Sequence, residues 1–170
     1  ILKDKKGLNY GNKKITVSTS GIANKIPEAA KEIGTYLALS LHAPNDRLRE
    51  EIMPINKKFK IKELIEHCKY YSSVVKEKIT LEYVMLRGIN DSLECAQQLI
   101  KLMAQFPCKV NLIEFNPWPG VQYLPTKREE MEKFGKVIQE AGYIATIRRS
   151  RGQDILGACG QLRTESLKIK

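Results

Sequence analysis

A chain of 170 residues, 42% hydrophobic and 28% charged, holds enough apolar material to bury a core as one domain and too much to remain disordered. Its 29 Lys and Arg against 19 Asp and Glu leave a net charge of +10, which favours a polyanionic partner because each neutralised phosphate releases condensed counterions; a merely solvated basic surface fits the composition equally well. No apolar run approaches the ~18 residues that span a bilayer, and cysteines 68, 95, 108 and 159 lack CxxC or CxxxCxxC spacing, so the segment supplies no cysteine-only metal site and its thiols read as reduced.

Ile1-Leu2-Lys3-Asp4-Lys5-Lys6 carries no cap or start signal and reads as the tail of a helix begun elsewhere, the mark of a longer chain. Lys13 to Gly21 is a β-branched run ended by a glycine turn, a strand pattern. Asn24 to Ile33 has Ile26, Ala29, Ala30 and Ile33 on one helical face, with Gly34 as its stop. Tyr36 to His42 is mostly apolar, as in a buried parallel strand, and Asp46 is expected to cap a short helix that ends at Pro54. Ile61 to Val75 is amphipathic, and Cys68 on its apolar stripe reads as a small buried hydrophobe. Lys78 to Leu86 is the third strand. Asn90-Asp91-Ser92 opens a helix toward Phe106 with Leu93, Ala96, Leu99, Ile100 and Met103 inward. Lys109 to Asn116 is the fourth strand, broken by Pro117-Trp118-Pro119-Gly120, and Cys108 before it reads as a buried strand-edge thiol. Lys127 to Ala141 is a helix closed by Gly142, and Tyr143 to Ile147 a fifth strand leading into Arg151 to Leu162.

Strand and helix alternate with no hairpin signal between apolar runs, which predicts parallel strands joined by crossovers. A complete eight-fold barrel takes ~250 residues, so five strands imply part of a barrel or an open α/β sheet. Ligands bind at the carboxyl ends of such strands. Ser18 and Ser20, Ser40 and His42, and Asn116 fall at three of those ends, and alternation is expected to put Ser40 and His42 on one face, likewise Glu114 and Asn116. Neutral donors and acceptors dominate, which suits a polar zwitterion or a nucleoside better than a bare phosphate. Glu82, mid-strand among apolar neighbours, must pair with a base or face a polar lumen. Cys159, between Ala158 and Gly160, is a thiol with little bulk to shield it.

In order, Ser18-Thr19-Ser20-Gly21, Ser40-Leu41-His42-Ala43-Pro44-Asn45-Asp46, Met53-Pro54-Ile55-Asn56, Glu82-Tyr83-Val84-Met85-Leu86, Asn116-Pro117-Trp118-Pro119-Gly120 and Ala158-Cys159-Gly160-Gln161-Leu162 resemble the radical S-adenosylmethionine adenosine-C2 methyltransferases of ribosomal and transfer RNA, from about Lys13 to Leu162. The resemblance implies an α/β fold, a partial (βα)6 TIM-like radical SAM barrel, here its C-terminal four strands plus a following C-terminal strand. It implies that Ser18, Ser40, Leu41, His42 and Asn116 bind S-adenosylmethionine and that Cys159 is the S-methylcysteine intermediate. In the family, one S-adenosylmethionine methylates that thiol and a second is cleaved to a 5′-deoxyadenosyl radical. This radical takes a hydrogen from the S-methyl group, and the carbon radical so formed adds to carbon 2 of adenine. Carbon 2 is not nucleophilic, whereas a thiolate accepts a methyl group readily.

The same resemblance implies 23S rRNA and tRNA as partners, a reductase that supplies electrons, a cytoplasmic location and no membrane. The family's four-iron four-sulfur cluster motif, its Gly-Glu-Pro segment and its second catalytic cysteine all precede the position of Ile1. Residues 1–170 are therefore expected to be a single incomplete barrel domain, without the N-terminal strands, the cluster ligands and the N-terminal accessory domain, and inactive alone. Three other readings stand beside this one: a non-catalytic basic RNA-binding remnant, a relative that methylates carbon 8, and an unrelated partial-barrel enzyme using Cys159 as nucleophile.

Overall fold

The structure, a computed structural model, describes residues 1–118 and 120–148. Five strands, β1 (Thr16–Thr19), β2 (Tyr36–Ser40), β3 (Ile79–Met85), β4 (Cys108–Glu114) and β5 (Ala145–Arg148), form one parallel sheet in the order β1-β2-β3-β4-β5. The crossovers that parallel neighbours require are α1 (Ile26–Glu32), α2 (Asp46–Ile52) with α3 (Ile61–Val75), α4 (Leu93–Met103) and α5 (Arg128–Glu140). Because the strand order never reverses, crossovers of one hand all fall on one side of the sheet. There α1 packs on α3, and α4 on α5. This singly wound α/β sheet is the expected architecture. It stays open, with β1 and β5 as its edges among the described residues.

Winding to one side gives the sheet two unlike faces. Leu37 and Leu39, Ile79, Leu81, Tyr83 and Met85, and Val110 and Leu112 are buried beneath the helices with Ile26, Leu64, Ile65, Leu99, Phe134 and Ile138. Each such side chain, fully buried, contributes roughly 1.5–3 kcal/mol. The alternate residues of β3 and β4, Thr80, Glu82 and Val84 with Lys109, Asn111 and Ile113, are half-buried or exposed. The helix-free face is therefore the polar one, and Glu82 lies on it.

Most elements form where the periodicity places them. α3 has the expected bounds and buries Ile61, Leu64, Ile65, Cys68 and Tyr71. Gly34 and Gly142 take φ of 60° and 88° after α1 and α5, the left-handed conformation that glycine adopts without strain. Three local expectations are corrected. Residues 1–6 hold no helix; Gly7 N–H donates to Asp4 O at 2.9 Å and Leu8 N–H to Ile1 O at 3.1 Å, closing turns. The cap of α2 is Asn45, whose side chain accepts from Leu48 N–H at 3.0 Å, because the Asp46 carboxylate is taken up by Asn56 Nδ2 at 2.8 Å and Ile61 N–H at 2.9 Å. Leu93, expected inward, is 57% exposed, since the helix starts beside it and Cys95 and Ala96 carry the buried face.

Candidate functional site

The carboxyl end of β2 is built as a constrained turn. Leu41 and His42 both donate their N–H to Glu82 O, at 3.0 and 3.2 Å, and Ala43 N–H donates to Leu41 O at 2.8 Å. That last bond closes a three-residue turn centred on His42, whose φ is 57°. A positive φ is uncommon outside glycine and marks a position that its surroundings over-determine. The strand ends at Ser40, so the alternation expected to put Ser40 and His42 on one face does not run through His42.

The His42 ring is held as firmly as its backbone. Its Nδ1 accepts from Val84 N–H at 3.1 Å, which fixes the neutral tautomer with the proton on Nε2. Burial first, and then the Arg49 charge, lower its pKa to about 4. The folded pKa thus lies below the unfolded one, so between about pH 6.5 and 4 only the unfolded chain takes up the proton. This contribution is fully present above that window and lost as pH falls through it. Acid titration of unfolding free energy should show a loss of about 2–3 kcal/mol there, trimmed by the ring's partial exposure. His42→Asn, which keeps an acceptor and cannot titrate, should flatten that slope; an unchanged slope would assign it to other groups.

Arg49 is the residue that sequence reasoning missed. It is 0% exposed on a seven-residue helix, and its guanidinium donates to Leu41 O at 3.1 Å, Ser40 O at 3.1 Å, Ser20 O at 2.8 Å and Asn56 Oδ1 at 2.9 Å. One side chain thereby ties the carboxyl ends of β1 and β2 together. Asn56 extends the tie, donating to Asp46 O at 3.3 Å and to the Asp46 carboxylate that receives Ile61 N–H. Burial lowers the Arg49 pKa to about 10, with Asp46 opposing, so it stays cationic at neutral pH. Gly21 makes room for it: at φ 103°, a Cβ there would stand 2.7 Å from Nη2.

Asn90 closes the turn from the β3 side. It is fully buried, with Nδ2 donating to His42 O and Val84 O and Oδ1 accepting from Leu86 N–H, each at 2.7 Å. Asn45 Nδ2 also reaches Gln98 Oε1 at 2.7 Å, joining the turn to α4. Of the other expected site residues, Ser18 is exposed on β1 in register with Ala38, and Ser40 is half-buried in register with Glu82. Asn116 is 8% exposed just past β4. Beyond it Trp118, 42% exposed, packs edge-on against Phe115 with ring centres 5.5 Å apart. Ser40, Leu41, His42 and Asn116 thus share the carboxyl-terminal end of the sheet with Ser20. Cys159 lies outside the described residues.

Neutral hydroxyl, amide and imidazole groups at this end fit a polar nucleoside. The cysteines among the described residues do not fit an iron–sulfur cluster. Cys68, Cys95 and Cys108 are buried free thiols, burial pushes the Cys68 and Cys108 thiols up to about 12, and no group of three potential metal ligands occurs among the described residues. A cavity of about 150 Å³ between Asn12, Lys13, Gly34, Thr35, Tyr36, Val75 and Glu77 sits at the amino end of β2, opposite the site.

No family model matches the chain. Over all of its length it is 47% identical to the dual-specificity RNA methyltransferase RlmN of Parvibaculum lavamentivorans, and over 99% of it 50% identical to RlmN of Xanthobacter autotrophicus. Along its whole length the chain is similar to part of the RlmN proteins. It spans 43% and 41% of the length of those two curated relatives. The fold is matched in three dimensions by a radical SAM methyltransferase from Sphaerobacter thermophilus, at 42% identity and a TM-score of 0.90 over 95% of this chain and 48% of that one. A domain of the pyruvate-formate lyase-activating enzyme of Bacteroides vulgatus shares the fold alone, at 13% identity and a TM-score of 0.62 over 78% of this chain and 80% of that one. Among the described residues no helix is long and apolar enough to cross a membrane.

Proposed function

We propose that this chain forms the carboxyl-terminal, S-adenosylmethionine-binding part of a cytoplasmic RNA methyltransferase that modifies carbon 2 of adenosine in 23S rRNA and tRNA. The observation that carries the proposal is the over-determined turn at Ser40-Leu41-His42, pinned by Arg49 and Asn90 at the end of a parallel sheet where such folds bind ligands. In a chain similar to those methyltransferases, that turn is a rigid seat for a polar nucleoside. S-adenosylmethionine, when bound, supplies an activated methyl group and the precursor of a 5′-deoxyadenosyl radical.

The chain's own residues orient and hold. Ser18 and Ser40 offer hydroxyls, His42 offers Nε2–H, and Asn116 offers an amide at the adjoining strand end. Cys159 is the methyl carrier in this reading. The described residues do not fit an iron–sulfur cluster, so none of them is assigned to radical generation. The net charge of +10 favours RNA, and exposed Trp118 beside the site offers a face on which a base can stack.

The test uses the protein expressed from its complete reading frame, with 23S rRNA and tRNA transcripts, S-adenosylmethionine and a reductant. Nucleoside mass spectrometry should find 2-methyladenosine, and Cys159→Ala should lower its formation by roughly 10³-fold or more. Peptide mass spectrometry of the wild type should find one added methyl group on Cys159. Methylation that survives Cys159→Ala, or appears at carbon 8, would overturn the assignment.

A further inference from the structure

Across the open face of the sheet runs a row of polar side chains in register: Ser40 opposite Glu82, Glu82 opposite Asn111, and Asn111 opposite Thr146. Its hydrogen bonds all point one way. The Thr146 hydroxyl donates to Asn111 Oδ1, and Asn111 Nδ2 donates to Glu82 Oε1 at 3.4 Å. The relay therefore ends on an acceptor. Glu82 Oε2 is buried with no hydrogen-bond partner among the described residues. A buried carboxylate oxygen without a donor is costly, and native structures rarely keep one without a use. The long bond from Asn111 satisfies the other oxygen only weakly.

The position of this orphan gives it a use. Glu82 stands beside Ser40 in the sheet, and its own carbonyl receives Leu41 and His42 N–H, so backbone and side chain both belong to the floor beneath the turn. We propose that Glu82 is a ligand-binding residue whose carboxylate accepts a hydrogen bond from a ribose hydroxyl of the nucleoside seated at Ser40–His42. One free oxygen matches a single-donor hydroxyl, whereas an ammonium group asks for several acceptors at once. Carboxylates read ribose hydroxyls in this way in other parallel α/β folds. The Asn111–Thr146 relay fixes the carboxylate orientation and so sets which hydroxyl it meets. This assignment rests on the nucleoside reading of the preceding subsection.

The test is a binding cycle on the protein from its complete reading frame, with S-adenosylhomocysteine and its 2′-deoxy and 3′-deoxy analogues as probes, followed by calorimetry. Glu82→Ala and Glu82→Gln should weaken S-adenosylhomocysteine by about tenfold. Removing one of the two hydroxyls should cost the wild type about as much and cost Glu82→Ala nothing further. The melting temperature of Glu82→Gln should hold or rise while affinity falls, because the substitution removes a charge from an unsatisfied site; a purely structural carboxylate would lose both. Unchanged affinity in Glu82→Ala would overturn the proposal, as would equal losses for both analogues in wild type and variant, which would place the donor elsewhere on the ligand. Failure of the underlying reading looks different: S-adenosylhomocysteine would not bind the wild type, or Ser40→Ala and Asn116→Ala would leave its affinity untouched.

Discussion

Arg49→Met is expected to destabilise the chain by about 3–5 kcal/mol, measured by urea unfolding, and to abolish the nucleoside binding proposed for the Ser40–His42 turn. The reason is the number of acceptors that lose their donor together. Three backbone carbonyls, of Ser20, Ser40 and Leu41, and Asn56 Oδ1 all point at one guanidinium, and the methionine chain that replaces it has no N–H. Each buried acceptor left unpaired costs about 1–3 kcal/mol, reduced here because relaxation admits some water. Arg49→Lys keeps the charge and loses the fork, so it should recover part of the stability and little of the binding, since one ammonium cannot span the ends of both strands. Gly21→Ala attacks the same contact from the other side, putting a methyl group 2.7 Å from Nη2 on a backbone at φ 103°. Because both changes break one interaction, Arg49→Met and Gly21→Ala combined should cost clearly less than the sum of the single effects. Additive costs would show that Arg49 and Gly21 act independently.

The fold was legible because its signals are local and repeated. β-branched or apolar runs of five to nine residues alternate with a 3.6-residue period, and parallel winding follows from that alternation and the missing hairpin turns. The strand-end positions of Ser40 and Asn116 and the place of Glu82 on the polar face were legible because strand ends and mid-strand charges stand out against an apolar run. Arg49 was not. In Asp46-Arg47-Leu48-Arg49-Glu50-Glu51-Ile52 it looks like any surface charge on a short helix, and its burial depends on carbonyls contributed from Ser20 and Ser40, distant in sequence. The expected cap, Asp46, differs from the observed one for a related reason. Asn45 and Asp46 are equally good capping types, and the choice is made by Asn56 and Ile61, which draw the aspartate away. The conformation of His42 was hidden because φ near 57° is imposed by bonds to Glu82 and Asn90 from the neighbouring element, with no glycine to announce it.

Asn90→Asp should be the second most damaging substitution, costing about 3–4 kcal/mol at neutral pH although it changes no side-chain size. Asn90 donates two bonds through Nδ2, to His42 O and Val84 O, while its Oδ1 accepts from Leu86 N–H and its backbone carbonyl accepts from the Tyr83 hydroxyl. Aspartate preserves the acceptor and replaces the double donor by an oxygen facing two carbonyls 2.7 Å away. Desolvation and those dipoles raise the introduced carboxyl's pKa above its unfolded value of ~3.9, so the folded chain holds that proton longer. Protonated, the group donates one of the two lost bonds. The deficit of Asn90→Asp is therefore full above the raised pKa and shrinks as pH falls through it, opposite in sign to the acid loss that His42 contributes in the wild type. Unfolding free energies of the two proteins should converge on acidification, and a pH-independent gap would mean that the carboxylate had turned out to solvent. A buried anion against the His42 carbonyl would also draw the imidazole pKa upward from about 4, visible as a shifted ring-proton titration by NMR. The two outcomes together decide whether Asn90 governs the turn at His42 or only packs beneath it.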